Sequence, residues 1–270
     1  MSLTYISLVL SAALSGYFTY LVCVHTAWYY FFLAFLFVIP TWICIFALWV
    51  IILVIWGLMI PKNKEYGFSK FYYWIVKNTD TWALRLLRIH IHKKGFDQIP
   101  QDKKCLYIIN HNSNFDPMIL IEKVKGNLVC ITKPENFSFP VAGPFIRRAG
   151  YIDINRQDPR LAIKSINKAS KLLMDGVANV CICPEGTRNK TEEKLLPFHP
   201  GSFKIAEKSG CPIVVIDLKN TRAIKKNMPF RGTRIEANVV AVLYQKDYQD
   251  LTTKEVSQFC HDKILEDFIK

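Results

Sequence analysis

The sequence predicts an α/β protein, a central mixed sheet flanked by helices, preceded by an N-terminal transmembrane helical hairpin. Three observations carry that reading. All 35 Lys and Arg and all 22 Asp and Glu of the 270 residues lie beyond residue 60, so residues 1–60 form an uncharged apolar stretch. In the later part, apolar runs of strand length alternate with amphipathic runs of helix length, the pattern of a sheet layered with helices. Between the two lies a segment dense in aromatic and basic residues.

The apolar stretch comes first. Sixty helical residues reach about 90 Å, against about 30 Å of bilayer hydrocarbon, which suits two spans and a short connection. Three spans would leave nothing for turns, and a signal peptide would be shorter with a basic start. The spans are expected near 3–24 and 31–60, with Pro40 as a kink or break. His25 and Thr26 mark the turn, and Trp28, Tyr29 and Tyr30 an aromatic belt. Lys62, Lys64, Lys70 and Lys77 follow the second span. The positive-inside rule then places an integral protein in the cell membrane with its large domain on the cytoplasmic side.

Three regions result: a two-span anchor over 1–60, an interfacial basic and aromatic helix within 61–88, and a catalytic-sized domain over 89–270. The middle region combines Phe71, Tyr72, Tyr73, Trp74 and Trp82 with Lys70, Lys77, Arg85 and Arg88. It reads as a helix in the headgroup layer, or alternatively as a core helix with an aromatic stripe. The net charge of +13 suits an anionic partner. The attached apolar segment favours membrane lipids over nucleic acid as that partner. Cys23 and Cys44 fall in the apolar stretch; Cys105, Cys130, Cys181, Cys183 and Cys211 sit in or beside strand-like runs and read as small buried hydrophobes. Without a C-x-x-C pair or histidines at ligand spacing, neither a metal site nor a disulfide framework is expected.

In the large domain, residues 89–94 read as a strand ending at Gly95, and 105–109 as a second strand. The latter feeds a loop, 110–117, in which Asp116 is expected as N-cap and Pro117 as first residue of a helix. A strand at 128–132 leads to Lys133. Asp158-Pro159 opens a helix with Leu161, Ile163, Ile166, Ala169, Leu172 and Leu173 on its apolar side and Gly176 at its end. Residues 179–183 form a strand delivering Pro184-Glu185-Gly186-Thr187-Arg188. Then come a helical stretch at 201–208, a buried strand at 213–218 and a weakly alternating strand at 235–243. Thr252 and Glu255 make a capping box for a last helix carrying Val256, Phe259, Ile264, Leu265 and Phe268.

Chemistry concentrates at 110–117. A turn of five residues allows Asp116 to bond one nitrogen of His111, which fixes the tautomer and leaves the other nitrogen as a general base for a hydroxyl. Ser113 lies in the same loop, but no Gly-x-Ser-x-Gly elbow surrounds it. Taken alone, the pair reads more readily as a helix cap and a loop residue. Four blocks in order change this. His111-x4-Asp116, then Lys133 with Gly143 and Gly150 through Arg156, then Pro184 through Arg188, then Cys211-Pro212-Ile213-Val214-Val215, resemble the 1-acylglycerol-3-phosphate acyltransferases, the short membrane-anchored members of the glycerolipid acyltransferase superfamily. The resemblance spans about residues 90–220. Asn136 and Asn155 stand where that family usually has Leu and Asp, and Val215 and Ile216 where a second Pro is common; these departures bear on the acceptor more than on the reaction.

The resemblance implies transfer of a fatty acyl group from a thioester, of acyl-carrier protein or coenzyme A, to the second hydroxyl of lysophosphatidic acid, making phosphatidic acid. It implies His111 as base and Asp116 as its orienter. Arg188, Arg156 and Lys133 would hold the acceptor's phosphate, with Glu185, Gly186 and Thr187 positioning the acceptor, or Glu185 instead bracing its loop. No cofactor beyond the acyl donor is implied. Another lyso-lipid or glycerol 3-phosphate is the alternative acceptor. A non-catalytic membrane-tethered protein binding anionic lipid or RNA is the alternative of a different class.

Overall fold

A computed structural model describes residues 3–23, 33–61, 64–155 and 158–269. The expectations attached to His25, Thr26, Trp28, Tyr29, Tyr30, Lys62 and Arg156 lie outside the described residues. Two apolar helices open the chain, α1 (Leu3–Cys23) and α2 (Leu33–Leu58), followed by α3 (Lys70–Leu86). The domain continues β1 (Ile89–Lys94), β2 (Leu106–Ile109), α4 (Asp116–Lys123), β3 (Leu128–Thr132), α5 (Ala142–Arg148), β4 (Ile152–Asp153), α6 (Pro159–Met174) and β5 (Asn179–Ile182). It ends with α7 (Lys204–Ser209), β6 (Ile213–Lys219), α8 (Ala223–Asn227), β7 (Thr233–Leu243), α9 (Gln245–Tyr248) and α10 (Thr253–Ile269).

The α1–α2 pair is zipped by hydroxyls. Thr4, Ser7, Ser11 and Ser15 lie buried along one side of α1. Ser7 accepts from Trp42 Nε1 at 3.0 Å, Ser11 donates to the Val38 carbonyl at 3.4 Å, and Ser15 meets Thr41 at 3.5 Å. Small residues let two apolar helices approach, and their hydroxyls find partners where no water is at hand. Helix α2 runs through Pro40 without ending, so of the expected kink or break the break does not occur. Within α2, Phe37–Leu58 is long and apolar enough to cross a membrane, whereas the apolar part of α1, Thr4–Tyr17, is shorter.

The second half of α2 is part of the domain's packing. Leu53 is buried, Trp56 meets Tyr72 and Phe145, Phe46 meets Trp82, and Trp49 Nε1 donates to Thr79 Oγ1 at 3.1 Å. Helix α3 therefore buries Tyr73, Ile75, Val76, Trp82 and Leu84 while leaving Phe71 and Trp74 exposed. Gly150, at φ +82°, packs so closely on the Phe68 backbone that an added Cβ would come within 2.8 Å of Phe68 Cα.

One seven-stranded sheet organises the rest, in the order β1-β7-β6-β2-β5-β3-β4. Strands β2 to β6 run parallel; β7 is antiparallel to β6, and β1 is parallel to β7. The central strands β2 and β5 are buried at every residue, as strands covered by helices on both faces must be. The chain leaves β2 toward β3 on one side, and later crosses from β5 to β6 on the other. The crevice beyond the carboxyl end of β2 is thus a topological switch point, where α/β sheets place ligands.

Local readings fare unevenly against this architecture. Asp158 caps α6, its side chain accepting from the Arg160 and Leu161 amides, and Thr252 and Glu255 close their box. The helix at 201–208 begins as a tighter 3-10 turn over Pro200–Phe203 before α7. Leu161 and Ile163 are exposed rather than on the buried side of α6, where Ser165 and Ser170 stand instead. Their hydroxyls are satisfied by backbone carbonyls, so burial costs them little. In α10 the buried stripe runs through Val256, Cys260 and Ile264, with Phe259 partly exposed.

Candidate active site

Strand β2 ends at Ile109, and the next residue sets the site's frame. Asn110 is fully buried, and its side chain behaves as a peptide group: Nδ2 donates to Asp217 Oδ1 (2.9 Å) and the Leu218 carbonyl (3.1 Å), and Oδ1 accepts from the Leu218 amide (2.8 Å). The β2–β6 ladder is thereby continued by one side chain beyond its last backbone rung. Burial pushes the Asp217 carboxyl up to about 7, against the pull of Lys219.

His111 follows, and the chain around 185–189 clasps its backbone from both sides. Its amide donates to Glu185 Oε1 at 2.5 Å, and its carbonyl accepts from the Asn189 amide at 2.7 Å. The other Glu185 oxygen accepts from the Leu196 amide at 3.1 Å, so both carboxylate oxygens are spent on backbone donors. Glu185 thus braces the His111 loop. Burial raises its pKa, opposed by those two backbone bonds. Gly186 adopts φ +74° at the tip of this turn, a conformation that favours glycine.

The His111 ring meets Asp116, with Nδ1 3.0 Å from Asp116 Oδ2. The same oxygen accepts from the amides of Asn112 (2.8 Å) and Ser113 (2.7 Å). Asp116 was expected to cap its own helix. It is instead the first residue of α4, which begins after Phe115, and its fully buried carboxylate points back along the chain to close the loop. All three donors fall on Oδ2, while Oδ1 stays buried without a hydrogen-bond partner, so the carboxylate is aimed at the preceding loop and caps none of the amides ahead. With the Nδ1 proton directed at Asp116, the other ring nitrogen, Nε2, is left to act on a substrate.

A third group acts on the ring. Cys183, the residue after β5, lies near enough to the His111 imidazole to influence its protonation. Burial alone would lower the imidazole pKa, but the Cys183 sulfur and the Asp116 carboxylate outweigh it, and the value is pushed up to about 10. Burial raises the Cys183 thiol against the opposing pull of His111. From sequence Cys183 reads as a small buried hydrophobe, and its one local signal is that it immediately precedes the Pro184–Arg188 block.

The other expected side chains stand around this centre without touching it. Thr187 and Arg188 are exposed on the clasping turn, next to Asn189. Lys133 is exposed where β3 ends, on the same carboxyl edge of the sheet as His111. Arg222, which sequence reasoning passed over, donates from Nε to Asn112 Oδ1 (3.2 Å) and from Nη1 to the Thr191 carbonyl (2.9 Å). It joins the loops after β2, β5 and β6.

Residues 90–219 match the family model described as Acyltransferase. The chloroplastic 1-acyl-sn-glycerol-3-phosphate acyltransferase BAT2 of Brassica napus is 35% identical over 132 residues, covering 48% of this chain and 38% of its own length. A 1-acyl-sn-glycerol-3-phosphate acyltransferase of Helicobacter pylori is 33% identical over 154 residues, 57% of this chain and 65% of its own. The chain spans between 37% and 52% of the lengths of several plant and algal relatives it matches. The crystal structure of the Thermotoga maritima 1-acyl-sn-glycerophosphate acyltransferase PlsC shares the fold, with a TM-score of 0.59 at 20% identity over 80% of this chain and 87% of that one. The match over 90–219 takes in His111, Asp116 and the Pro184–Arg188 turn that clasps them, so the part of the chain that carries the site is similar to the acyltransferase family.

Proposed function

We propose that the protein transfers a fatty acyl group from a thioester to the sn-2 hydroxyl of 1-acylglycerol-3-phosphate, yielding phosphatidic acid for phospholipid synthesis. One observation carries the reading: a His111–Asp116 dyad set at the switch point of a parallel sheet, with its backbone gripped by the Glu185–Asn189 turn. In the reaction, His111 Nε2 takes the proton of the acceptor hydroxyl as its oxygen attacks the thioester carbonyl. The tetrahedral adduct collapses, the carbon–sulfur bond breaks, and the imidazolium returns its proton to the departing thiolate. Asp116 holds the ring and supports its charge. Arg188 and Lys133 take the acceptor's phosphate, with Arg156 joining them by resemblance alone, because a guanidinium fork matches phosphate oxygens and an ammonium adds a point charge.

The names of the relatives support lysophosphatidic acid as acceptor. The apolar helix Phe37–Leu58 supports a membrane protein working on membrane lipids. Lys64 and Lys70 beyond α2 favour a cytoplasmic active domain. The donor is acyl-carrier protein or coenzyme A thioester. Purified protein offered lysophosphatidic acid with each donor should form phosphatidic acid with at least one. The His111→Ala variant should lose about 10²–10⁴-fold in turnover while still binding the acceptor. Near-normal turnover in that variant, or none in the parent with either donor, would overturn the reading. Ser113→Ala should keep most activity, and no acyl group should be trapped on the protein.

A further inference from the structure

The segment between β6 and β7 does something the proposed chemistry does not require. It starts beside the active loop, where Arg222 bonds Asn112, and ends at the root of the apolar helices. There the Thr233 amide donates to the Arg88 carbonyl at 3.1 Å, and Gly232 lies against the same carbonyl. Arg88 closes α3, whose Arg85 donates to Thr4 Oγ1 of α1 (2.9 Å) and sits 5.2 Å over the Tyr5 ring. Because β7 and β1 run opposite to β2, their starting ends lie on the edge of the sheet where β2 stops and His111 begins. One strip of chain thus links the mouth of the site to the foot of the α1–α2 pair.

Along that strip the chain shows Phe230, 84% exposed, with Lys225, Lys226 and Arg231 exposed around it. The platform beneath is fixed. Ile224 is fully buried, the Arg231 amide donates to the Asn227 carbonyl (2.8 Å), and Asn227 Nδ2 donates to Thr233 Oγ1 (3.0 Å). A lone exposed aromatic residue means little. An aromatic tip ringed by cations, held rigid, and continuous with helices apolar enough for a bilayer is the composition of an interfacial lipid contact.

We propose that residues 222–231 form a second membrane-contact site, a lip that sets Phe230 among the acyl chains' upper carbons and Lys225, Lys226 and Arg231 against anionic headgroups beside the mouth of the His111 site. The proposal rests on the membrane-lipid reading above. It explains how an acceptor whose acyl chain stays in the leaflet could bring its hydroxyl to a site on a globular domain: the lip presses the mouth to the surface. Each basic residue near an anionic leaflet strengthens association about fivefold.

Hydrogen exchange on the full chain in nanodiscs tests this without needing turnover. In phosphatidylcholine discs containing phosphatidylglycerol, amides of 223–232 should exchange several-fold more slowly than in phosphatidylcholine alone, and high salt should reverse much of the difference. Phe230→Ser and the pair Lys225→Ser with Lys226→Ser should each weaken that protection while exchange in β2, β5 and β6 stays unchanged. Phe230→Ser should also raise KM for lysophosphatidic acid presented in vesicles by about 5–10-fold, leaving kcat on a short-chain, monomeric acceptor unaltered. Equal exchange in both discs at every salt concentration would overturn the lip. So would protection that appears only on adding an acidic acyl-carrier protein, which would make it a protein-docking surface. Absence of turnover with any acceptor would instead remove the proposed reaction and leave the exchange result standing.

Discussion

His111 meets two demands that pull in opposite directions. A general base must be neutral, yet Cys183 and Asp116 hold this imidazole's pKa up to about 10. The rising limb of kcat/KM against pH should therefore lie well above the ordinary imidazole value of about 6.5. Stability should run the other way. The folded pKa lies above the unfolded one, so the imidazolium's contribution is complete below about pH 6.5 and is lost as pH rises toward 10. Denaturant midpoints of the parent and of His111→Gln, compared at pH 6 and pH 10, would show the difference between them shrinking at the alkaline end. Phosphate recognition belongs to this scale too. Arg188→Lys keeps the charge but loses the fork, and should raise KM for lysophosphatidic acid by about 10- to 150-fold, with far less effect on an acceptor whose phosphate is capped.

Among the elements, the turn entering β4 has little room to give. Gly150→Ala would put a side chain into a left-handed backbone and into Phe68 together, and should cost about 2–4 kcal/mol, read as a lowered denaturation midpoint in detergent. How far the elements could be read from sequence depended on whether their determinants were local. The Asp158 cap and the Thr252–Glu255 box involve residues two or three apart and were legible. The His111–Asp116 pair was legible only through the resemblance of four blocks in order, since the bare spacing favours a cap and a loop residue. The direction in which Asp116 points was not, because an aspartate before a proline at a helix start looks like a cap. Only its bonds to Asn112, Ser113 and the His111 ring show that it serves the preceding loop. Cys183 was hidden for a different reason. Its proximity to His111 spans more than seventy positions and exists because β5 lies beside β2, an adjacency no local pattern reports. Leu161 and Ile163 misled because periodicity marks a face but not what covers it.

For the whole molecule, the apolar helices and the domain are one packed object. Cutting after residue 60 would strip Leu53, Trp56 and Phe46 from Tyr72, Phe145 and Trp82. Such a truncation should be less stable in detergent than one beginning near residue 41, which keeps the packed half of α2. Thermal unfolding of the two in the same micelles would decide it. Equal midpoints would mean the contacts are incidental.

Asn110 carries a consequence for how the protein should fail. Because its side chain completes the join between two parallel strands, the residue bearing the reactive imidazole is tied to the centre of the sheet rather than to a movable loop. Local fraying has no easy route to that point, and the Leu218 amide that Asn110 receives should exchange only through opening of the whole domain. On heating, activity should then persist nearly unaltered until the sheet itself melts, and the two should vanish together. A variant such as Asn110→Ala should separate them, losing turnover at temperatures where the strands still stand.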